Sequence, residues 1–136
     1  MKNGLSIVIP VYNEENSIAT TLKAIADIMQ EKAIPYELIT VDDGSTDKTA
    51  GIIKQSPYNV KLVKHGMNKG YGASLKTGIT YSSYDIVAIT DADQTYPIER
   101  IPDFYAEIDH YHMIVGQRSF GKLPLITRPA KWFITQ

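Results

Sequence analysis

The chain contains no cysteine, which excludes disulfides and thiolate metal sites and makes a reducing compartment the default expectation. It has no surplus of either charge: fourteen basic residues stand against fifteen acidic ones, a formal net charge of -1. Without a basic excess, nucleic acid is not an expected partner. No apolar run approaches the ~20 residues needed to cross a bilayer. Met1-Lys2-Asn3-Gly4 leads directly into a strand-like run, without the apolar stretch of a signal peptide. A cytoplasmic chain is expected. No repeat, low-complexity tract or linker divides the 136 residues, so one domain over 1–136 is expected.

What is present is a regular alternation. Hydrophobic residues make up 43%, enough for an ordinary core. Leu5-Ser6-Ile7-Val8-Ile9-Pro10 is a compact apolar run stopped by proline, as in a buried strand. Ile18, Leu22, Ile25 and Met29 recur at helical spacing, which predicts a helix over 17–32. Strands follow over 36–41, 60–64 and 85–90, with helices over 72–81 and 98–108 and a short fifth strand over 113–115. Ser45 is expected to cap a helix and Asp47 to sit in its first turn. The order β-α-β-α-β-α-β implies an α/β fold, a mostly parallel sheet with helices on both faces.

In such sheets ligands bind at the carboxyl ends of the strands. Asn13 and Glu14 follow the first strand, Asp42 and Asp43 the second, and Asp91 and Asp93 the fourth, so all six should gather at one edge. Two carboxylates one residue apart, Asp91 and Asp93, suit a hard cation such as Mg²⁺ or Mn²⁺ that is shared with substrate phosphates. Asp-x-Asp alone is a weak signal, but these acids end an apolar strand, where an unpaired carboxylate would be costly. Asp42 and Asp43 stand where a base N–H or a ribose hydroxyl could be accepted, while Gly44, Ser45 and Asp47 read mostly as turn and cap residues. His65-Gly66-Met67-Asn68-Lys69-Gly70-Tyr71-Gly72 is a glycine-rich loop opening a helix, suited to phosphate, with Lys69 adding a positive charge. His65 reads as a surface or packing residue. Tyr12, Tyr71 and Tyr96 suit either stacking on a base or ordinary packing. By spacing alone, Arg118 and Arg128 read as solvated surface cations.

Four blocks in order resemble the large inverting GT-A glycosyltransferase family that includes dolichol-phosphate mannosyltransferase and the polyprenyl-phosphate sugar transferases. They are Ile9-Pro10-Val11-Tyr12-Asn13-Glu14-Glu15, Val41-Asp42-Asp43-Gly44-Ser45-Thr46-Asp47, Asn68-Lys69-Gly70-Tyr71-Gly72-Ala73 and Thr90-Asp91-Ala92-Asp93. The polyprenyl-phosphate subgroup is suggested by Tyr96-Pro97-Ile98-Glu99, Gly116-Gln117-Arg118-Ser119-Phe120 and Arg128-Pro129-Ala130-Lys131-Trp132-Phe133.

The resemblance implies a nucleotide-sugar-binding domain that transfers a sugar, with inversion, from a UDP- or GDP-linked donor to an acceptor such as a polyprenyl phosphate. By position, Pro10, Tyr12 and Glu14 would border the nucleoside, with Asp42 and Asp43 holding base or ribose. Lys69 would approach the diphosphate. Asp91 would meet ribose or sugar and Asp93 would ligate the Mg²⁺ or Mn²⁺; both acids are the catalytic candidates. Arg118 and Arg128 resemble a pair gripping the acceptor phosphate. Where relatives carry a metal-shell glutamine two places past the second Asp, this chain has Thr95, with glutamine at Gln94. The family's catalytic domain continues beyond residue 136, so the acceptor side is expected to be incomplete. Membrane contact, at the cytoplasmic face, is expected only through later segments, and an incomplete sheet makes a homo-oligomer a candidate. Two other readings stand beside this one: a non-catalytic nucleotide-binding or self-associating module, and a sugar nucleotidyltransferase.

Overall fold

The computed structural model describes residues 3–117. Arg118 and Arg128 lie outside them. Strand β1 (Leu5–Val11) leads to helix α1 (Ile18–Glu31), then β2 (Tyr36–Asp42), α2 (Thr49–Lys54), β3 (Val60–Lys64), α3 (Tyr71–Thr80) and β4 (Ile86–Ile89). A 3₁₀ turn (Ile98–Arg100), α4 (Ile101–Glu107) and a second 3₁₀ turn (Ile108–His110) close the described chain. The sheet order is β3-β2-β1-β4, with every pair parallel.

β1 is central, and its side chains alternate between two apolar layers. Leu5, Ile7, Ile9 and Val11 join Ile18, Leu22, Ile25 and Met29 of α1, together with Ile53 and Ile101. Val8 turns to the other face with Ile39, Val41 and Leu75 of α3. Burying each large aliphatic side chain contributes on the order of 1.5–3 kcal/mol, so the two-faced β1 anchors both layers. α3 crosses this second face at Gly78, where an added Cβ would lie 2.2 Å from Val8 Cγ1. The parallel sheet with helices on both faces is as expected.

Three local expectations are corrected. Residues 113–115 form no strand; Met113 and Val115 are exposed and, among the described residues, have no neighbouring strand to pair with. A strand exists through its ladder, so three apolar residues without a partner stay irregular. The helix predicted over 98–108 is one α-helical segment between two 3₁₀ turns, with a proline in its first turn. Ser45 does not cap α2, which begins four residues later. Asp47 Oδ1 instead accepts from the Thr49 amide and hydroxyl, and Ser45 Oγ accepts from the Asn13 amide.

At the opposite end of the sheet from the strand-end loops, Glu37 gathers several donors. Its Oε1 accepts from Ser6 Oγ at 2.6 Å and from the Ser83 amide, and its Oε2 accepts from Ser83 Oγ and Lys61 Nζ. Burial pushes the Glu37 carboxyl up, but these donors outweigh it, so the group sits below the ordinary glutamate value. A depressed carboxylate stabilises the fold above its unfolded value, and that stability is lost as pH falls through the folded value. Glu37→Ala should therefore cost about 1–3 kcal/mol at pH 7. In urea titrations the gap from wild type should narrow as pH is lowered below about 4.3, the ordinary glutamate value; a gap constant with pH would contradict the assignment.

Candidate functional site

The strand order reverses direction at β1: β2 and β3 extend to one side and β4 to the other. Where neighbouring strands send their chains to opposite sides, a crevice opens at their carboxyl ends. A cavity of about 320 Å³ lies there, within the size range of small-molecule sites. It is lined by Pro10, Val11, Tyr12 and Glu14 after β1, Asp43 after β2, and Asn68, Gly70, Tyr71 and Ser74 of the loop and first turn of α3. Asp91, Ala92 and Asp93 complete it after β4. Three separated acidic segments thus share one cleft.

The acidic pair is aimed by the residue between its members. Ala92 is buried in the apolar layer, so its neighbours Asp91 and Asp93 face the cavity. Thr21 Oγ1, itself buried in α1, donates to the Ala92 carbonyl at 2.8 Å and ties this loop to the helix. Asp93 Oδ1 accepts from the amide and hydroxyl of Thr95, a local turn in which Gln94 takes a positive φ of 59°. Thr95 therefore braces Asp93. Across the cleft, the Tyr71 hydroxyl donates to Asp91 Oδ1 at 3.2 Å. Burial, followed by the charge and hydrogen bond of Asp91, pushes the Tyr71 hydroxyl up to about 12.

The loops after β1 and β2 clasp one another. Asn13, in a left-handed conformation (φ 53°), donates its amide to Ser45 Oγ and accepts from the Thr46 amide at Oδ1. The Glu14 amide donates to Thr49 Oγ1, the Glu15 amide to Asp47 Oδ2, and the Lys48 amide to Glu15 Oε2. Glu14 itself accepts from Ser17 Oγ at 2.6 Å. Much of the polar sequence in these blocks satisfies backbone groups that would otherwise be orphaned at the ends of two buried strands.

Within the Asp42-Asp43 step the two acids separate. Asp42 is fully buried and does not line the cavity: Oδ1 accepts from the Ser45 amide at 2.9 Å and Oδ2 has no protein partner. Of the two acids expected to meet base or ribose, Asp42 is thus placed behind the cavity wall, where its carboxylate follows the inward side of the β2 pleat and caps the turn. Asp43 stands at the cavity wall. Its Oδ1 accepts from His65 Nδ1 at 2.6 Å and from the Lys69 amide at 2.8 Å, and its Oδ2 accepts from the Gly70 amide at 2.8 Å. Burial pushes the Asp43 carboxyl up, but His65 and the two amides outweigh it and hold it below the ordinary aspartate value. Lys69 contributes its backbone amide here; its side chain is exposed and outside the cavity lining. His65 is buried, not at the surface, and is hydrogen-bonded through both ring nitrogens.

Pattern reasoning missed Ser74 on the lining and the Thr21 and His65 contacts. Ser74 had one available signal, its place in the first turn of a helix after a glycine-rich loop. Thr21 looked like any polar residue in an amphipathic helix.

Among the described residues no group of three or more His, Cys, Asp and Glu is disposed to hold a metal ion. Asp91 and Asp93 do bring two carboxylates to one side of the cleft, and Asp93 Oδ2 is not engaged by the Thr95 turn. A hard cation held by one or two carboxylates, with water and substrate phosphate completing its shell, requires no more protein ligands than these. Asp91 and Asp93 fit such a cation shared with a phosphate ligand.

The family model for "Glycosyl transferase family 2" matches residues 6–130. The chain belongs to this family, and its parallel sheet is that of the GT-A glycosyltransferases. It is 34% identical over 121 residues to the undecaprenyl-phosphate 4-deoxy-4-formamido-L-arabinose transferase of Proteus mirabilis, covering 85% of this chain and 37% of that protein. The crystal structure of S. aureus TarS 1–349 in complex with UDP superposes with a TM-score of 0.66 at 26% identity, covering 89% of this chain and 38% of that one. The mannosyltransferase PcManGT from Pyrobaculum calidifontis, in complex with GDP-Man and Mn²⁺, superposes with a TM-score of 0.55 at 27% identity, covering 71% of this chain and 29% of that one. The chain thus spans between 29% and 38% of the length of these relatives. No described helix is long and apolar enough to cross a membrane.

Proposed function

We propose that this chain binds a nucleotide-diphosphate sugar in the cleft between β1 and β4, as the donor-binding part of an inverting glycosyltransferase whose acceptor is a polyprenyl phosphate. The observation that carries the reading is the convergence of Asp43, Asp91 and Asp93 on one cavity at the reversal of strand order. The acceptor follows the relatives that act on undecaprenyl phosphate.

Pro10, Tyr12 and Glu14 border the nucleoside in this reading, and the cavity-facing carboxylate of Asp43 accepts from base or ribose. Asp91 and Asp93 hold Mg²⁺ or Mn²⁺. When bound, the cation supplies Lewis-acid neutralisation of the charge that builds on the departing diphosphate. Asp91, held by Tyr71, and Asp93, held by Thr95, fix where that neutralising charge can sit. An anionic phosphate acceptor needs no proton removed, so positioning outweighs base catalysis and no general base is assigned. Arg118 and Arg128 are assigned to the acceptor phosphate by family position.

Calorimetry with UDP- and GDP-sugars, with and without Mn²⁺, tests the reading. Saturable binding that strengthens with Mn²⁺ is expected for one base class. Absence of binding by both would overturn it, and pyrophosphate release from a nucleoside triphosphate and a sugar phosphate would redirect it to nucleotidyl transfer.

A further inference from the structure

His65 lies just past β3, at the head of the glycine-rich loop. Its ring is buried and does not form part of the cavity wall. Nδ1 is 2.6 Å from Asp43 Oδ1 and Nε2 is 2.9 Å from Thr77 Oγ1, two turns into α3. Asp43 also accepts the amides of Lys69 and Gly70, a set of donors suited to an acceptor-only, ionised carboxylate. The ring hydrogen facing Asp43 therefore sits on Nδ1, and Nε2 pairs with the Thr77 hydroxyl. When one ring nitrogen of a histidine is committed in this way, the partner of the other sets the tautomer.

These contacts form a continuous relay. Thr77 orients His65, His65 orients Asp43, and Asp43 fixes the two amides that open α3. Asp43 and Gly70 both belong to the cavity wall, whereas His65 and Thr77 stand behind it. The loop has few other ties: its exposed Met67 and Lys69 side chains bury little, and Asn68 Oδ1 bonds only within the loop, to the Gly70 amide.

We propose that His65 is a positioning residue for donor binding: as an Nδ1–H donor held by Thr77, it sets the Asp43 carboxylate and, through it, the backbone of Lys69 and Gly70 that shapes the nucleotide cleft. This inference rests on the donor-binding reading above for its functional consequence, but its geometric core is independent of any ligand.

Two conservative substitutions separate positioning from bulk. The amide nitrogen of asparagine overlies imidazole Nδ1, and that of glutamine overlies Nε2. His65→Asn keeps the donor to Asp43, whereas His65→Gln keeps only the reach to Thr77. Hydrogen exchange should show the Lys69 and Gly70 amides near wild type in His65→Asn. In His65→Gln they should exchange about tenfold faster or more, with the amides of β1 unchanged in both. UDP or GDP affinity in Mn²⁺ should follow the same order, within about threefold for asparagine and weakened about tenfold or more for glutamine.

Equal behaviour of the two variants, whether both like wild type or both impaired, overturns the proposal. Should both fail to fold, the ring ¹⁵N spectrum of the wild-type protein decides: hydrogen on Nδ1 supports the relay, and hydrogen on Nε2 alone overturns it. If the wild-type protein binds neither UDP nor GDP, the donor reading falls while the exchange comparison still judges His65.

Discussion

Asp93→Ala is expected to weaken Mn²⁺-dependent binding of UDP or GDP by about 10–100-fold, the scale on which metal sites respond to loss of a supporting group. The fold should be almost untouched, because Asp93 is exposed and its one described link is the local turn to Thr95. Exposed substitutions away from the core usually stay within about 0.5 kcal/mol. Asp93→Asn is the sharper instrument: its amide oxygen can still accept from Thr95, so the turn survives while the charge is removed. If charge is what matters, the asparagine variant should fail as badly as alanine in Mn²⁺. Measured by calorimetry, undiminished affinity in both variants would take Asp93 out of the site.

Gly44→Ala is expected to destabilise the protein by about 2–4 kcal/mol, combining left-handed strain with a close contact, and to loosen the cleft at the same time. Gly44 has a φ of 79°, and a Cβ there would lie 2.8 Å from the backbone of both Met67 and Asn68. The obstructing atoms are main chain, so no rotamer change relieves them. The two loops must separate, and the hydrogen bonds that the Lys69 and Gly70 amides donate to Asp43 span that junction. Gly51 provides the control: it lies within α2, and a Cβ there meets nothing within 4 Å. Gly51→Ala should be neutral or stabilise by about 0.5–1 kcal/mol through helix propensity. Urea denaturation of the two variants side by side tests the contrast, and equal stabilities would refute it.

The regular elements were legible in the sequence because each is a local periodicity. The compact apolar run of β1 and the spacing of Ile18, Leu22, Ile25 and Met29 in α1 needed no knowledge of distant residues. The gathering of Glu14, Asp43, Asp91 and Asp93 was equally legible, since parallel strands deliver their carboxyl ends to one edge. What escaped was set by contacts between residues far apart in the chain. Thr21 and Ala92 are separated by 71 positions, and Asn13 and Thr46 by 33; no window on the sequence contains both partners. Asp42 and Asp43 look alike as adjacent letters, yet the strand pleat sends one into the interior and the other to the cleft. His65 was misjudged for the same reason, because its partner Asp43 belongs to another loop. The strand expected over 113–115 failed in the opposite direction: the local pattern was present, but among the described residues it has no ladder to join.

The mutual clasp between the loops after β1 and β2 separates scaffolding from recognition. Asn13, Ser45, Thr46 and Asp47 spend their polar atoms on one another's main chain, whereas the Tyr12 ring stands half exposed at the rim. Tyr12 can therefore be exchanged for another side chain without disturbing the latticework beneath it. If the cleft binds a nucleoside as proposed, a lineage carrying this arrangement is free to drift in the one it prefers while inheriting the same architecture.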